Sequence, residues 1–483
     1  MTETTVRTPS SGRDASWLVG ADLAAVVLAF IGQIMLTHAL LAEHYGWMVL
    51  AIDLYASLFL VIDLGLPTLL ARDGTRAPSL VPAAVWRTYR WQALAALPFV
   101  FLALAARPEA WLNVEAPATL LLLAAMIALV HVASYAPRSG LRVLGEARLE
   151  ALTKVAERGV TVVAYGVLVW QGSTSATAFT AAFLGGAITG WALALWWLLR
   201  VAPPAQRVDW GRLGEAWVTP RALMMSALPF AITLGILPYV IRIEKFMVAA
   251  SGDATLGAVF HVAQLAWLAG LVVPAAIRSA LLPVLGAARD DPTRHQREMN
   301  QATDLCFGLL PYGLFGGYLI MTVFAPLAFP SSYLDGTYGA SAVDVFTVLL
   351  AGWALTLLAT PTYTSLMAGP RPWRFTLFIV LVLLAAVLFG YVLVMQGPTD
   401  PGQKLFAAAV ASSLSAGVLL ILSWHMSEGW ALVRERQDDW ALALLGTTLV
   451  VVGLVSGTTW WVLGLPLFLF TPRGWQAVRS TLD

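Results

Sequence analysis

Long apolar stretches separated by short polar segments recur along the whole chain. An α-helix of about 20 apolar residues spans the hydrocarbon core of a bilayer. The pattern therefore predicts an all-α polytopic membrane protein, with the last two stretches forming either a hairpin at Ser456-Gly457 or one long helix. The fourteen predicted helices cover residues 17–41, 45–71, 86–106, 111–136, 151–170, 176–199, 222–250, 255–285, 303–329, 340–368, 373–396, 404–427, 440–455 and 458–472.

Basic residues fall almost entirely on one side of this topology. With the N-terminus in the cytoplasm, the inner loops and both tails hold 24 of the 29 Lys and Arg residues. The outer loops hold only Arg107 and Lys404. Because cytoplasmic loops are enriched in Lys and Arg, we expect a multi-pass protein of the cytoplasmic membrane with both termini inside. The hairpin is favoured, since a single last helix would place Arg473 and Arg479 outside.

Composition supports this class and excludes others. Hydrophobic residues make up 59% of the 483 residues and charged residues 12%. The net charge of +1 gives no basic surface for nucleic acid. The single cysteine, Cys306, excludes an intramolecular disulfide and a cysteine metal site, and the six histidines lack metal-ligand spacing. We therefore expect no cofactor and no metal.

The loops are too short to hold a soluble domain. None of the three lysines follows a glycine, so a phosphate-binding loop for ATP is absent. The largest outer loops carry Asp335 and Asp400, which is too little for a catalytic site. A channel would need a filter-like re-entrant segment, and none is recognisable. We therefore expect a carrier rather than an enzyme.

The two halves of the chain show a weak internal similarity. Helices 1–2 and helices 7–8 each have an acidic, glycine-containing outer turn, at 43–46 and 253–257, and then a long helix ending in Ala-Arg-Asp, at 71–73 and 288–290. Six helices separate the copies, so both have the same orientation, which predicts a pseudo-twofold axis along the membrane normal. The predicted organisation is a tail (1–16), a six-helix half (17–200), a linker (201–221), a second six-helix half (222–427), a link with helices 13–14 (428–473) and a tail (474–483).

Six segments together carry a resemblance to known carriers: "DLGLPTLLAR" (63–72), "LRVLGEARLEALTKVAERG" (141–159), "YVIRIEKFMVAA" (239–250), "LGAVFHVAQLAWL" (256–268), "ALLPVLGAAR" (280–289) and "SLMAGPRPWRF" (365–375). Together they are similar to the polysaccharide transporter family of the multidrug/oligosaccharidyl-lipid/polysaccharide exporter (MOP) superfamily. Two departures are His261, where tyrosine is common, and a helix 11 without the usual outer asparagine.

The resemblance implies a function. It implies a secondary flippase that moves a polyprenyl-diphosphate-linked oligosaccharide from the inner to the outer leaflet by alternating access, for cell-envelope polysaccharide or glycoprotein assembly. Its partners would be that glycan, membrane lipids and polymerases or glycosyltransferases, and a monomer would suffice. The alternative is a multidrug or small-cation antiporter of the same superfamily. A non-transporting scaffold in the cell envelope is a third interpretation.

Charged side chains within the predicted membrane helices form the candidate site. Inserting one such side chain into the bilayer costs about 2.5–3.5 kcal/mol, so a charge at this position indicates a function. Arg242 and Lys245 share a face of helix 7 and could bind a diphosphate, and Arg278 is a third cation, on helix 8. The competing interpretation is a structural or interfacial role, in which the long side chains of Arg242 and Arg278 reach the membrane interface. Glu244 points away from Arg242 and could take a coupling proton or face a partner in the other half.

Other polar residues within the helices have weaker assignments. Asp22, Asp53 and Asp63 are candidate coupling or structural carboxylates, and Asp63 could close a helix end or pair with Arg72. Gln33 and His38 are candidate sugar contacts, although polar packing against another helix is the favoured interpretation.

Overall fold

A computed structural model describes residues 11–204, 208–288, 291–369, 371–427, 429–458, 461 and 464. This part of the chain is helical throughout, apart from short turns and links. The α-helices are α1 (Ser11–Ala39), α2 (Ala42–Phe59), α3 (Leu66–Asp73), α4 (Val81–Ala106), α5 (Ala118–Val143), α6 (Ala147–Trp170), α7 (Ala176–Val201), α8 (Pro220–Ser251), α9 (Ala254–Gly270), α10 (Val272–Ala287), α11 (Pro292–Ala328), α12 (Ala342–Ala368), α13 (Pro372–Gly390), α14 (Pro401–Met426), α15 (Trp430–Glu435) and α16 (Gln437–Val455).

Twelve membrane-length spans in the described residues are apolar enough to cross a bilayer. They correspond to the predicted helices except two. Helix 5 forms as α6, but its charged residues exclude it from the apolar set. Helix 14, residues 458–472, lies almost entirely outside the described residues. The all-α polytopic fold predicted from the sequence is confirmed.

The first of two compact units comprises residues 1–239. In this unit α6 packs against α1 and α7, and α5 packs against α7 and α2. A buried apolar cluster joins the short helix α3 to α4, α5 and the segment before α8. Trp217, fully buried in this cluster, donates its indole N–H to Asp73 at the end of α3 (3.1 Å). This bond fixes the position of α3.

The second unit comprises residues 240–483 and is built around α12. This helix packs against α9, α10, α11, α14 and α16, and 72% of its apolar span is buried. Arg436, at the start of α16, pairs with Asp304 of α11, which anchors the predicted thirteenth helix to the bundle. The boundary between the two units falls within α8.

Predicted helix 2 (45–71) is not one helix. It divides into α2, a 3₁₀ turn at Leu60–Asp63 and α3. Leu64 and Gly65 adopt positive φ angles of 55° and 67°. A side chain at Gly65 would meet Ala227 O and Ala231 N of α8, both at 2.6 Å. The break therefore requires glycine both for its backbone conformation and for the close approach of α8.

Predicted helix 8 (255–285) is also divided, into α9 and α10, at Leu271. The buried Trp353 of α12 donates its indole N–H to the carbonyl oxygen of Gly270 (2.9 Å), which satisfies a backbone acceptor at the break. The halves are thus alike in a way the sequence did not predict, since the second span of each contains a break. Arg289 and Asp290, which carried part of the predicted similarity, lie outside the described residues.

Several basic residues assigned to inner loops lie within helices instead. The link between α5 and α6 is only a short turn, so Arg138 and Arg142 belong to α5, and Lys154 and Arg158 belong to α6. Helix α11 likewise starts at Pro292 rather than near residue 303. Hydropathy locates the apolar middle of a helix and misses its charged turns, which explains these differences.

Candidate functional site

The predicted cationic pair on α8 lies in two different environments. Lys245 is 1% exposed, and its ammonium lies 3.1 Å from His261 Nδ1 of α9. Arg242, three residues earlier, is half-buried. His261, the departure from the family pattern, is thus the partner of Lys245. Lys245 is thus enclosed by protein within the second unit.

Glu244 is enclosed in the same unit. It is 1% exposed, and neither carboxyl oxygen has a hydrogen-bond partner among the described residues. The Ser415 side chain of α14 lies near its carboxyl group. On α9, the Gln264 amide donates to the carbonyl oxygen of Ile241 on α8 (2.6 Å). Helices α9 and α14 therefore surround the charged turn of α8.

The other predicted residues are dispersed. Arg278 of α10 is half-buried and near the Tyr363 hydroxyl group of α12, and Asp53 is half-buried on α2. Asp63 is buried, with the Gln92 amide 3.5 Å away. Asp63 is the last residue of the 3₁₀ turn after α2, and Arg72 pairs with the adjacent Asp73 (2.9 Å).

The candidate sugar contacts on α1 also separate. Gln33 accepts a hydrogen bond from the Tyr45 hydroxyl group of α2 (2.7 Å), which is the polar packing that the sequence favoured. His38 is exposed in the last turn of α1.

The structure reveals a charged cluster in the first unit that sequence reasoning did not select. At its centre is Glu157 of α6, which is 4% exposed. Its carboxylate lies 2.7 Å from Arg138 and 3.2 Å from His131, both on α5, and 3.8 Å from Arg158. The Arg158 guanidinium also lies 5.1 Å from the ring centroid of Phe183 on α7. We call these four charged residues, with Lys154 and Asp22, the α6 cluster.

Two glycines of α7 make the cluster possible. A methyl group at Gly190 would lie 2.8 Å from Glu157 Cβ, 2.9 Å from its Oε2 and 3.0 Å from the Arg138 guanidinium. A methyl group at Gly186 would overlap the Thr161 hydroxyl oxygen. Because these positions lack side chains, α7 approaches α6 closely and covers one side of the Glu157–Arg138 pair.

The opposite side of the cluster opens into a cleft of about 340 Å³ between α1, α5 and α6. Asp22 of α1 borders the cleft and pairs with Lys154 (2.7 Å). The cluster contains three permanent cations, Arg138, Lys154 and Arg158, and two carboxylates. The adjoining Glu150, 3.9 Å from Lys154, pairs with Arg142 and so adds no net charge. The net charge is therefore positive even with His131 neutral. Glu157 is ten residues into α6, about 15 Å along the helix axis from its first residue, where the charged first half of the helix meets its apolar second half.

A signal for this cluster exists in the sequence. Glu150, Lys154, Glu157 and Thr161 follow helical spacing, so they lie on one face of α6. This row was overlooked because Lys154 and Arg158 were counted with the basic residues of the inner loops. The pairing of Glu157 with His131 and Arg138 depends on how α5 packs, which no local pattern shows.

The carboxylates of the outer loops have local structural roles. Asp335 accepts hydrogen bonds from the Thr337 N–H (2.9 Å) and hydroxyl group, and these hold the pKa of Asp335 below its ordinary value. Asp400 caps α14 by accepting from the Gln403 N–H (2.9 Å). Neither arrangement supplies acid–base chemistry.

Comparisons with known proteins place the fold. No protein-family model matches the chain, and no curated protein sequence matches it. An inward-facing multidrug resistance MATE family transporter of the MOP superfamily aligns with a TM-score of 0.62 and 15% identity, over 84% of this chain and 95% of that one. An outward-facing transporter of that family aligns with a TM-score of 0.59 and 14% identity, over 88% and 99%.

A third solved structure differs in its described pocket. It is a MOP superfamily transporter from Pyrococcus furiosus, described as having a binding pocket of reverse polarity that suggests a different function. It aligns with a TM-score of 0.59 and 14% identity, over 87% of this chain and 99% of that one. At such identities the likeness establishes the fold alone. The chain thus has a MATE-like fold of two halves, while its resemblance to the polysaccharide transporter family stays a prediction.

Proposed function

We propose that this protein is a secondary transporter that works by alternating access. The support is its MATE-like fold, which solved transporters adopt in both inward-facing and outward-facing conformations. The breaks in the second span of each half supply points at which a helix can change direction. We place it in the cytoplasmic membrane with both termini inside, as the distribution of basic residues predicts.

We further propose that the substrate is a polyprenyl-diphosphate-linked oligosaccharide. The observation that carries this proposal is the α6 cluster, which has an excess of cations beside a cleft between the helices of the first unit. Intramembrane charges are costly and mark substrate or ion pathways. Guanidinium groups bind phosphate oxygens in bidentate geometry, so Arg138 and Arg158 suit a diphosphate.

Glu157 has a specific role in this proposal. It neutralises part of the charge of its three basic neighbours while no substrate is present. An arriving diphosphate would compete with Glu157 for Arg158, which has the longest of these contacts (3.8 Å) and is partly exposed. Arg242, Lys245 and Arg278 would supply further positive charge in the second half, and Glu244 would take a coupling proton.

A multidrug or cation antiporter is the second candidate. Two of the solved neighbours are described as multidrug resistance transporters, and this chain has buried carboxylates in both units, Glu157 and Glu244. In such a protein the carboxylates would receive the cation or the coupling proton. The net positive charge of the α6 cluster favours the anionic substrate.

The test is translocation in sealed vesicles. Purified protein is reconstituted with a fluorescent polyprenyl-diphosphate oligosaccharide, and its appearance in the opposite leaflet is timed. Wild type is compared with Arg158→Gln and with an Arg242→Gln, Lys245→Gln double variant. Arg148→Gln is the matched control, because Arg148 is exposed in the first turn of the same helix, against Trp17.

We expect at least tenfold slower flipping with Arg158→Gln and unchanged flipping with Arg148→Gln. If flipping is lost only in the Arg242→Gln, Lys245→Gln double variant, the protein is still a flippase but its binding site lies in the second unit. Absence of flipping by wild type, together with proton-driven movement of a cationic dye, would reject the flippase and support the antiporter.

A further inference from the structure

A second charged cleft lies at the start of α4, on the side of the bilayer that the sequence predicts to be cytoplasmic. Its volume is about 570 Å³. It combines arginine and tryptophan side chains and is separate from the α6 cluster. The lining residues are Ala83, Trp86, Arg87, Arg90, Trp91, Leu94, Val208, Trp210 and Pro220.

One wall of this cleft is held in place. Arg87 donates to the carbonyl oxygen of Trp217 (2.6 Å), and its guanidinium lies 4.5 Å from the ring centroid of Trp210. Trp210 in turn stacks on Trp217, with ring centroids 6.3 Å apart. The neighbouring carboxylate, Asp209, accepts from the Gly211 N–H (3.0 Å). Arg87 and Trp210 are therefore pre-positioned, and Arg90 is exposed one turn further along α4.

An apolar strip continues from the cleft along the same face of α4. Trp86, Arg90, Leu94, Leu97 and Phe101 recur at spacings of four, four, three and four residues, so they lie on one side of the helix. Leu94, Leu97 and Phe101 are 63%, 74% and 73% exposed. A cationic, tryptophan-lined end followed by exposed apolar residues matches the profile of a phospholipid, which has a charged headgroup above an acyl chain.

We propose that this cleft is a binding site for an anionic phospholipid. Its phosphate would accept hydrogen bonds from Arg87 and Arg90, and the indoles of Trp86 and Trp210 would lie at the level of the glycerol. One acyl chain would extend over Leu94, Leu97 and Phe101. Basic pockets between membrane helices on the cytoplasmic side recognise anionic headgroups in this way. The proposal does not depend on which substrate the protein transports.

Native mass spectrometry tests the site on the intact protein in detergent. Phosphatidylglycerol and phosphatidylcholine are titrated separately, and the lipid adducts that survive mild activation are counted. Arg90→Gln is the informative variant, because Arg90 is exposed and its loss should leave the Arg87–Trp217 bond intact. Arg200→Gln is the matched control, since Arg200 is also exposed at an inner helix end and stacks on a tryptophan, Trp196 (4.4 Å).

We expect one phosphatidylglycerol to bind at least fivefold more tightly than phosphatidylcholine, and Arg90→Gln to abolish that preference. Arg200→Gln should retain it. Competition by millimolar inorganic phosphate would reject the lipid in favour of a simple anion site. Equal binding of both lipids, or an equal loss in the two arginine variants, would also overturn the proposal.

Discussion

The Lys154 ammonium of α6 lies 2.7 Å from Asp22 Oδ1 of α1, which joins two helices 132 residues apart in sequence. Lys154 also lies 3.9 Å from Glu150, so it links the Asp22 side of the cleft to the row of charges along α6. The Asp22 side chain is 57% exposed and that of Lys154 is 24% exposed. The pair therefore borders the cleft instead of being buried beneath it.

Removing this pair should change transport more than stability. Exposed ion pairs contribute about 1 kcal/mol or less, so Asp22→Asn should lower the free energy of unfolding only slightly. Flipping should slow severalfold, because Lys154 would lose the partner that holds it at the cleft. The exchanged variant Asp22→Lys, Lys154→Asp should recover part of the rate in the vesicle assay. No recovery, with a folded protein, would show that the pair itself does not set the rate.

Gly190→Ala should impair the α6 cluster without changing any charge. The new methyl group would lie within 3.0 Å of both Glu157 and Arg138, and overpacking of this kind costs about 1–3 kcal/mol. Gly185→Ala is the control on the same helix, since a methyl group there has no neighbour within 4 Å. Thermal unfolding in detergent should separate the two variants by several degrees. Equal melting temperatures would contradict the packing described here.

Glu157→Gln should be strongly destabilising. Removing one partner of a buried ion pair costs about 3–5 kcal/mol, because the remaining charge is left uncompensated. The double variant Glu157→Gln, Arg138→Gln should be no less stable than Glu157→Gln, since it removes one of the uncompensated cations. Denaturant unfolding of the wild type, both single variants and the double variant measures this coupling. Additive effects would mean that the 2.7 Å contact carries no interaction energy.

Gly65→Ala should destabilise the protein by more than the strain of a positive φ angle alone. A positive φ angle costs an ordinary residue about 1–2 kcal/mol. Gly172 has nearly the same φ angle (69°) and open space around it, so Gly172→Ala isolates that contribution. Gly65→Ala would add the clash with α8 and should lower the melting temperature clearly further. Similar melting temperatures for the two variants would show that α8 moves aside without cost.

Much of the fold was predictable because a bilayer imposes a length and a polarity on every spanning helix. The breaks at Gly65 and Leu271 were not, although "DLGLP" contains the glycine and proline that favour one of them. The residues around both breaks are mostly apolar, so average hydropathy does not fall there. At the break near Leu271, the hydrogen bond to Gly270 comes from Trp353 of another helix, which the local sequence cannot show.

The candidate site was predicted less well, for a related reason. Arg242 and Lys245 were identified because they interrupt an apolar helix, whereas Arg158, although within predicted helix 5, was counted with the basic residues of the inner side. The burial of Glu157 depends on α5 and on the glycines of α7. Such partners, like the contact of Lys245 with His261, are set by how neighbouring helices pack against each other, which the pattern along a single helix does not show.

Helix α4 has a consequence for natural variation in this chain. Only 6% of its apolar span is buried against protein, so we expect most of its surface to contact lipid. At Leu97, Phe101 and Leu102 the bilayer requires an apolar side chain but no particular shape. These positions should tolerate nearly any exchange among Leu, Ile, Val, Phe and Met, and reject Asp or Lys. On α12, where neighbouring helices enclose the surface, the same exchanges should be selected against, so the two helices should diverge at very different rates.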